Sequence, residues 1–256
     1  MLIPRIIPVL LLKNNGLVKT VRFRDPTYVG DPINAIRIFN EKEADELVFL
    51  DITATLEGRD PDFGTISEVA SECFMPFAYG GGIRDLQTIE KIFNVGAEKV
   101  VINSQAAVSL DLIREAARRF GSQSIVGSMD VKKSFIGGYE VYVRSGTVSV
   151  RQNPHDYIRG LEDAGVGEVF LNSVDRDGTL KGYDHALIRQ LAKTVGVPVV
   201  AIGGASSVSD MVQAIRVSGA SAAGAGSIFV FHGKHRAVLI TYPERLTLER
   251  ELMPSK

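Results

Sequence analysis

Short apolar runs alternate with longer amphipathic stretches along the 256-residue chain. The runs are rich in β-branched residues and lack polar alternation, which is typical of strands buried on both faces. Strand–helix alternation implies a parallel sheet, and eight such units in about 250 residues favour a closed (β/α)₈ TIM barrel over an open doubly wound sheet. The predicted strands are 6–12, 46–52, 75–79, 99–102, 124–130, 168–172, 197–202 and 220–225; the predicted helices are 32–42, 66–73, 85–94, 110–120, 154–164, 185–194, 208–217 and, with weaker periodicity, 235–250.

Two segments interrupt this alternation. Residues 13–31 follow the first strand and are predicted as a long loop that acts as a mobile lid. Residues 135–151 alternate apolar and polar positions around Gly137-Gly138 and Ser145-Gly146. This alternation predicts β-hairpins inserted after the fifth strand.

The sequence also repeats itself at half its length. Residues 49–51 (FLD) resemble 170–172 (FLN), 121 residues later, and 78–82 resemble the run that ends at Gly203-Gly204. We therefore predict a single-domain barrel of two duplicated half-barrels, about 1–122 and 123–256. Such a barrel presents two equivalent sites at the carboxyl ends of its strands.

Composition excludes several classes of protein. The chain has 29 Lys and Arg against 30 Asp and Glu, a formal net charge of −1, whereas a nucleic-acid binder carries a basic excess. The lone cysteine, Cys73, excludes a disulfide framework and a Cys-rich zinc site, and the four histidines lack ligand spacing. We expect no metal or cofactor. With no signal peptide and no apolar run of roughly 18 residues, a cytoplasmic protein without a membrane span is expected.

Two glycine runs are candidate phosphate sites. Gly80-Gly81-Gly82 and Gly203-Gly204 each follow a predicted strand and precede a predicted helix, an arrangement that presents backbone N–H groups to an anion. Gly226-Ser227 after the eighth strand and Asn103-Ser104 after the fourth are the companion elements of the two sites. The alternative is that these glycines only make tight turns between strand and helix.

Polar residues at other strand ends add candidate chemistry. Asp130 ends the fifth strand, where a carboxylate can act as a general acid or base. Asp51 ends the second strand and is either a ligand contact or a structural partner in the barrel mouth. The segment 175–179 (DRDGT) is either part of the site or a turn with self-paired charges. Lys19 lies in the predicted loop after the first strand.

Taken together, these motifs resemble the cyclase subunit of imidazole glycerol phosphate synthase over essentially the whole chain. The resemblance implies a duplicated barrel that adds ammonia, delivered by a glutaminase subunit docked on its N-terminal face, to a bisphosphorylated ribulosyl substrate. It assigns phosphate contacts to Gly82, Asn103, Asp177, Gly178, Gly203, Gly204 and Ser227. The matching segments are 5–8, 30–32, 45–54, 80–83, 99–103, 120–123, 175–179, 182–184 and 203–205.

The resemblance further implies a charged gate at the ammonia entrance. Arg5, Glu46, Lys99 and Glu168 occupy the four gate positions. Each lies at the start of a different predicted strand, so two acids and two bases meet at the bottom of the barrel. Pairing is expected, because burying unpaired charges is costly.

One position departs from the cyclase pattern. The family uses aspartates at the ends of strands one and five; Asp130 is the second, but Leu11 occupies the first. Leucine cannot transfer a proton. The runs 8–20, 23–26 and 30–35 resemble paralogues from surface-polysaccharide gene sets that are implicated in acetamidino modification of sugars, where a third, amidotransferase subunit receives the ammonia.

Three hypotheses remain open at this point. The first is an ammonia-channelling barrel in sugar amidination. The second is a working cyclase of histidine biosynthesis that tolerates Leu11. The third is a non-catalytic scaffold that binds a phosphorylated ligand.

Overall fold

The computed structural model describes residues 3–135 and 137–252. Within these residues, eight parallel strands form a closed ring in the order β1, β4, β5, β6, β7, β10, β11, β12, and β12 pairs with β1 to complete it. The (β/α)₈ barrel predicted from the sequence is confirmed. The strands are β1 (Ile6–Lys13), β2 (Gly16–Val21), β3 (Arg24–Gly30), β4 (Leu47–Asp51), β5 (Phe77–Gly80), β6 (Lys99–Ile102), β7 (Ile125–Lys133), β8 (Tyr139–Val143), β9 (Val148–Ser149), β10 (Glu168–Ser173), β11 (Val199–Ile202), β12 (Ala222–Ala225), β13 (Phe231–His232) and β14 (Ala237–Val238).

Helices cover the outside of the ring. They are α1 (Pro32–Glu41), α2 (Ala54–Glu57), α3 (Phe63–Glu72), α4 (Leu86–Asn94), α5 (Ser104–Val108), α6 (Asp111–Phe120), α7 (Pro154–Asp163), α8 (His185–Leu191), α9 (Val208–Arg216), α10 (Ser227–Val230) and α11 (Arg245–Leu252). The last predicted helix, 235–250, is wrong in its first half, because Ala237 and Val238 pair with β13 instead. Within the described residues, no helix has the length and apolarity to cross a membrane.

The loop predicted for 13–31 is wrong: it is a β-hairpin. β2 pairs antiparallel with β1 and β3 pairs with β2. Asn14 and Asn15 both have positive φ, the backbone required by a two-residue hairpin turn, and Asn tolerates it better than most residues. The Asn14-Asn15-Gly16 run was therefore the missed signal. The hairpin structure predicted for 135–151 is present: β8 pairs antiparallel with the end of β7, and β9 pairs antiparallel with β8.

Two apolar clusters form the core. The larger one packs the outer faces of the strands against the helices. The smaller one fills the inside of the barrel and consists of Ile7, Val9, Val48, Ala78, Val101, Val126, Phe170, Val200, Ile202 and Ala222. Since side chains alternate along a strand, the inward positions of β1 run Arg5, Ile7, Val9, Leu11 from bottom to top. On β1 the inward positions are therefore charged at the bottom of the barrel and apolar from there to the cavity.

Two buried tyrosines give a prediction about stability. The Tyr157 hydroxyl has no hydrogen-bond partner among the described residues, whereas the Tyr183 hydroxyl donates to the Gly224 carbonyl at 2.9 Å. We expect Tyr157→Phe to leave the free energy of unfolding unchanged or raise it by up to about 1 kcal/mol, and Tyr183→Phe to lower it by about 1–2 kcal/mol. Urea unfolding of both variants checks this, and an equal loss in both would contradict it.

Candidate functional site

A cavity of about 650 Å³ opens at the carboxyl ends of the barrel strands. It brings together, from separate segments of the chain, all the residues proposed from the sequence for substrate or catalysis. Those on its wall are Lys19, Asp51, Gly81, Gly82, Asn103, Ser104, Asp130, Asp177, Gly178, Gly203, Gly204, Gly226 and Ser227. Leu11 also lies on this wall. The four gate residues lie at the other end of the barrel.

The first end of the cavity is built by the turns after β5 and β6. Gly81 and Gly82 have φ of 117° and 71°, and an added Cβ on Gly81 would overlap the Asp51 carbonyl oxygen. The Gly82 N–H donates to Thr55 Oγ1 at 3.2 Å. These glycines are thus needed for the turns themselves. Asn103 and Ser104 lie beside them at the start of α5.

The second end is built by the turns after β10, β11 and β12. Gly203, Gly204 and Gly178 have positive φ, with φ of 90°, 105° and 69°. Since β6 and β12 are four strands apart in a ring of eight, Ser104 and Ser227 lie on opposite sides of the mouth. The separation of the two ends fits a ligand with two polar termini.

Lys19 is buried at the second end. Its ammonium donates to the Val9 carbonyl at 2.6 Å and lies directly under Gly226, where any side chain would overlap it. Burial lowers the pKa of Lys19 to about 8, and nearby Asp177 partly opposes this. Asp177 in turn accepts from Thr20 Oγ1 at 3.0 Å. Lys19 therefore supplies a positive charge that water screens poorly.

Asp130 lies on β7 at the floor of the cavity and is 7% exposed. Its Oδ2 accepts a hydrogen bond from Asn103 Nδ2 at 3.1 Å. Burial raises the pKa of Asp130 to about 7, the Asn103 hydrogen bond opposes the rise, and Asp177 adds to it. A carboxyl group that titrates near neutral pH can both release and accept a proton, which suits general acid–base chemistry.

The raised pKa predicts a pH-dependent stability. The folded state holds a proton on Asp130 up to about pH 7, whereas the unfolded chain releases it near pH 3.9, so stability falls as the pH rises between these values. Asp130→Asn removes this loss. At pH 8 the variant should exceed the wild type by about 4 kcal/mol, with the difference vanishing towards pH 4. Urea unfolding at several pH values measures it, and a pH-independent difference would contradict it.

Asp51 is held by its own turn. Its carboxylate accepts from the Thr53 and Ala54 N–H groups, each at 3.0 Å, and pairs with Arg59 at 2.7 Å. These contacts favour the structural interpretation of Asp51. They also hold Arg59 at the cavity wall. Arg84 and Arg144 line the same cavity, and none of the three arginines was proposed from the sequence. Basic residues in segments that follow strand ends were the available signal.

The four proposed gate residues form one ring of ion pairs at the amino ends of the strands. Arg5 bonds to both Glu46 and Glu168, and Lys99 Nζ lies 2.8 Å from Glu46 and 3.2 Å from Glu168. The glutamates are 3% and 5% exposed. Burial opposes ionisation of Arg5, but the two carboxylates hold its pKa above the usual value. The ring closes the bottom of the barrel.

These features define a (β/α)₈ barrel with a cavity at the carboxyl ends of its strands, where enzymes of this architecture place their active sites. The model of the family described as "Histidine biosynthesis protein" matches residues 5–236, and the chain belongs to this family. A Pseudomonas aeruginosa protein provisionally named imidazole glycerol phosphate synthase subunit hisF2 is 57% identical over 240 residues, 94% of this chain and 96% of that protein. A Vibrio vulnificus protein provisionally named subunit hisF3 is 44% identical over 244 residues, 95% and 94% of the two chains. The imidazole glycerol phosphate synthase subunit HisF of Alkaliphilus metalliredigens is 42% identical over 232 residues, 91% and 92% of the two chains.

Proposed function

We propose that this protein is the ammonia-accepting barrel of a glutamine amidotransferase complex, and that the nitrogen is used to form an acetamidino group on a sugar of a surface polysaccharide. A glutaminase subunit docks at the amino ends of the strands, over the ring of Arg5, Glu46, Lys99 and Glu168. A third, amidotransferase subunit receives the nitrogen. The observation that carries the proposal is the layering of the barrel: a charged ring, an apolar interior and then a cavity whose wall carries charged and amide side chains.

The inward side chains describe a path for a small neutral molecule. On β6 they run Lys99, Val101, Asn103, which spans about 13 Å along the strand. On β10 they run Glu168, Phe170, Asn172. An apolar lining disfavours ammonium relative to ammonia, because an unpaired charge is costly to bury there. Leu11 in place of an acid favours transfer of the nitrogen over cyclisation in the cavity.

Two exposed phenylalanines allow the docking face to be tested. Phe74 is 85% exposed and lies between α3 and β5, on the face of the charged ring; Phe135 is fully exposed at the opposite, cavity face. The purified protein is mixed with a partner glutaminase, and glutamate release from glutamine is measured. We expect the barrel to stimulate release, Phe74→Asp to abolish association, and Phe135→Asp to leave it unchanged. Failure of the wild type to bind or stimulate any glutaminase rejects the proposal.

The second candidate is the cyclase subunit of imidazole glycerol phosphate synthase. It is favoured by one observation: both proposed phosphate ends and Asp130 line the same cavity. Turnover of the bisphosphorylated ribulosyl substrate with ammonium salts at rates normal for a cyclase would establish it. A protein that binds phosphorylated ligands but neither stimulates a glutaminase nor turns over this substrate would be the non-catalytic scaffold.

A further inference from the structure

A turn of the inserted hairpin roofs the cavity. We call Arg144–Gly146, between β8 and β9, the roof turn. Ser145 Oγ donates to the Ile52 carbonyl at 3.1 Å, and Lys132 Nζ donates to the Gly146 carbonyl. Phe23, at the tip of the β2–β3 hairpin, packs against Gly146. The two inserted hairpins therefore meet over the mouth.

Hydrogen bonds lead from the roof turn to the acid on the floor. The Arg144 N–H donates to Ser104 Oγ at 3.1 Å. Ser104 Oγ donates to Asn103 Oδ1 at 3.4 Å, and Asn103 Nδ2 donates to Asp130 Oδ2 at 3.1 Å. Four residues from three separate segments are thus connected in one series.

The direction of this series is set by its first member. A backbone N–H can only donate, so the Ser104 oxygen accepts from Arg144 and its proton is free to donate to Asn103. The Asn103 carbonyl then faces Ser104, which leaves its NH₂ group to face Asp130. An amide without this constraint can turn over and present its oxygen to the carboxylate, where two acceptors would repel each other.

We propose that Ser104 is a positioning residue, which transmits closure of the roof turn through Asn103 to Asp130, so that the acid has its hydrogen-bond donor only when the roof is closed. The inference goes beyond the proposed function and does not depend on the nitrogen acceptor. Asp130 then receives the Asn103 hydrogen bond only when the two hairpins cover the cavity and exclude solvent.

Other groups also act on Asp130. Asp177 raises its pKa and Lys132 lowers it. Ser128 lies on the same strand as Asp130, and its carbonyl oxygen also accepts a hydrogen bond from the Asn103 NH₂ group, at 3.3 Å. The buried Tyr157 hydroxyl lies close enough for Asp130 to disfavour its ionisation. A substitution at Ser104 leaves the Asp177, Lys132 and Tyr157 side chains in place, whereas the Asn103–Ser128 contact involves the same amide and changes with it.

The test is a ¹³C NMR titration of the Asp carboxyl groups in the full-length protein, with Asp130→Asn identifying the Asp130 signal. Ser104→Ala removes the link and should raise the Asp130 midpoint by at least about 0.5 pH unit, since one hydrogen bond to the charged form is lost. Ser104→Thr keeps the hydroxyl and should restore the wild-type midpoint. If Ser104→Ala does not fold, Ser104→Cys replaces it, because it keeps the size of the side chain and its S–H is only a weak donor.

Ser149→Ala is the matched control, because it removes a hydroxyl of the same hairpin that accepts from the Arg151 N–H and belongs neither to the roof contacts nor to the series. Its midpoint should stay at the wild-type value. An unchanged midpoint in Ser104→Ala would overturn the proposal, and so would an equal shift in Ser149→Ala, which would assign the effect to general loosening of the hairpin. The titration needs no glutaminase, so its failure is distinct from failure of the proposed function.

Discussion

Arg5→Met is expected to lower the free energy of unfolding by about 3 kcal/mol, because it removes one partner of a buried ion-pair network. Glu46 and Glu168 would then share a single cation, Lys99. Both carboxylates have almost no contact with solvent, so water cannot replace the lost guanidinium. Urea unfolding at neutral pH measures the change.

The control for this prediction is an arginine of similar size in an exposed pair. Arg245 lies 3.1 Å from Glu249 within α11, and its side chain is 55% exposed. Arg245→Met should cost less than about 1 kcal/mol, as exposed pairs do. If Arg5→Met costs no more than this control, the ring is effectively solvated. It could not then serve as a closed gate.

The barrel itself was predictable because each of its strands is a short apolar run that ends at a turn signal. The charged ring was predicted from the resemblance to the cyclase family, and the positions of Lys99 and Glu168 at the first residues of their strands agree with it. The prediction was wrong where pairing, not periodicity, decides the structure. Residues 13–31 become a hairpin because β1 extends beyond the barrel and offers an edge, and residues 235–244 lack a helix because part of them pairs with β13.

The sequence predicted which residues line the candidate site better than it predicted their roles. Strand ends of a barrel converge, so any polar residue there is predicted to face the mouth. The sequence does not show which groups a side chain contacts once the protein has folded. Asp51 and Asp130 look alike as strand-end carboxylates, yet one is occupied by Arg59 and turn amides and the other is buried with one amide donor. The contacts of the roof turn could not be predicted, because the turn belongs to an inserted hairpin and no local sequence pattern shows where that hairpin packs.

The ends of β1 and β7 differ in the side chain that each presents to the cavity. β1 and β7 are four strands apart in the ring, and each carries one inserted hairpin at its carboxyl end. Leu11 lines the cavity from β1 and Asp130 from β7. The cavity thus has an acid on one side and an apolar surface, with Val9 and Leu50 beside Leu11, on the other. Of these two strand ends, the β7 end carries the carboxylate.

Leu11→Asp is expected to raise ammonia-dependent cyclisation of the bisphosphorylated ribulosyl substrate by about 100-fold over the wild type, the usual contribution of one general acid or base. The wild type should show little activity in this assay. Leu11 is partly exposed to the cavity, so an aspartate there keeps contact with water and should remain ionised without unfolding the barrel. Product formation with ammonium salts, at saturating substrate, measures the gain.

Leu11→Asn is the matched control, because it has nearly the same shape as Asp and cannot transfer a proton. A gain in Asp but not in Asn would show that the cavity still binds the cyclase substrate and lacks only its second acid. No gain in either variant would mean that the cavity has been remodelled for another ligand, and would contradict the expectation that only the second acid is missing. High activity in the wild type would instead establish the cyclase, and Asp130 alone would then have to perform both proton transfers.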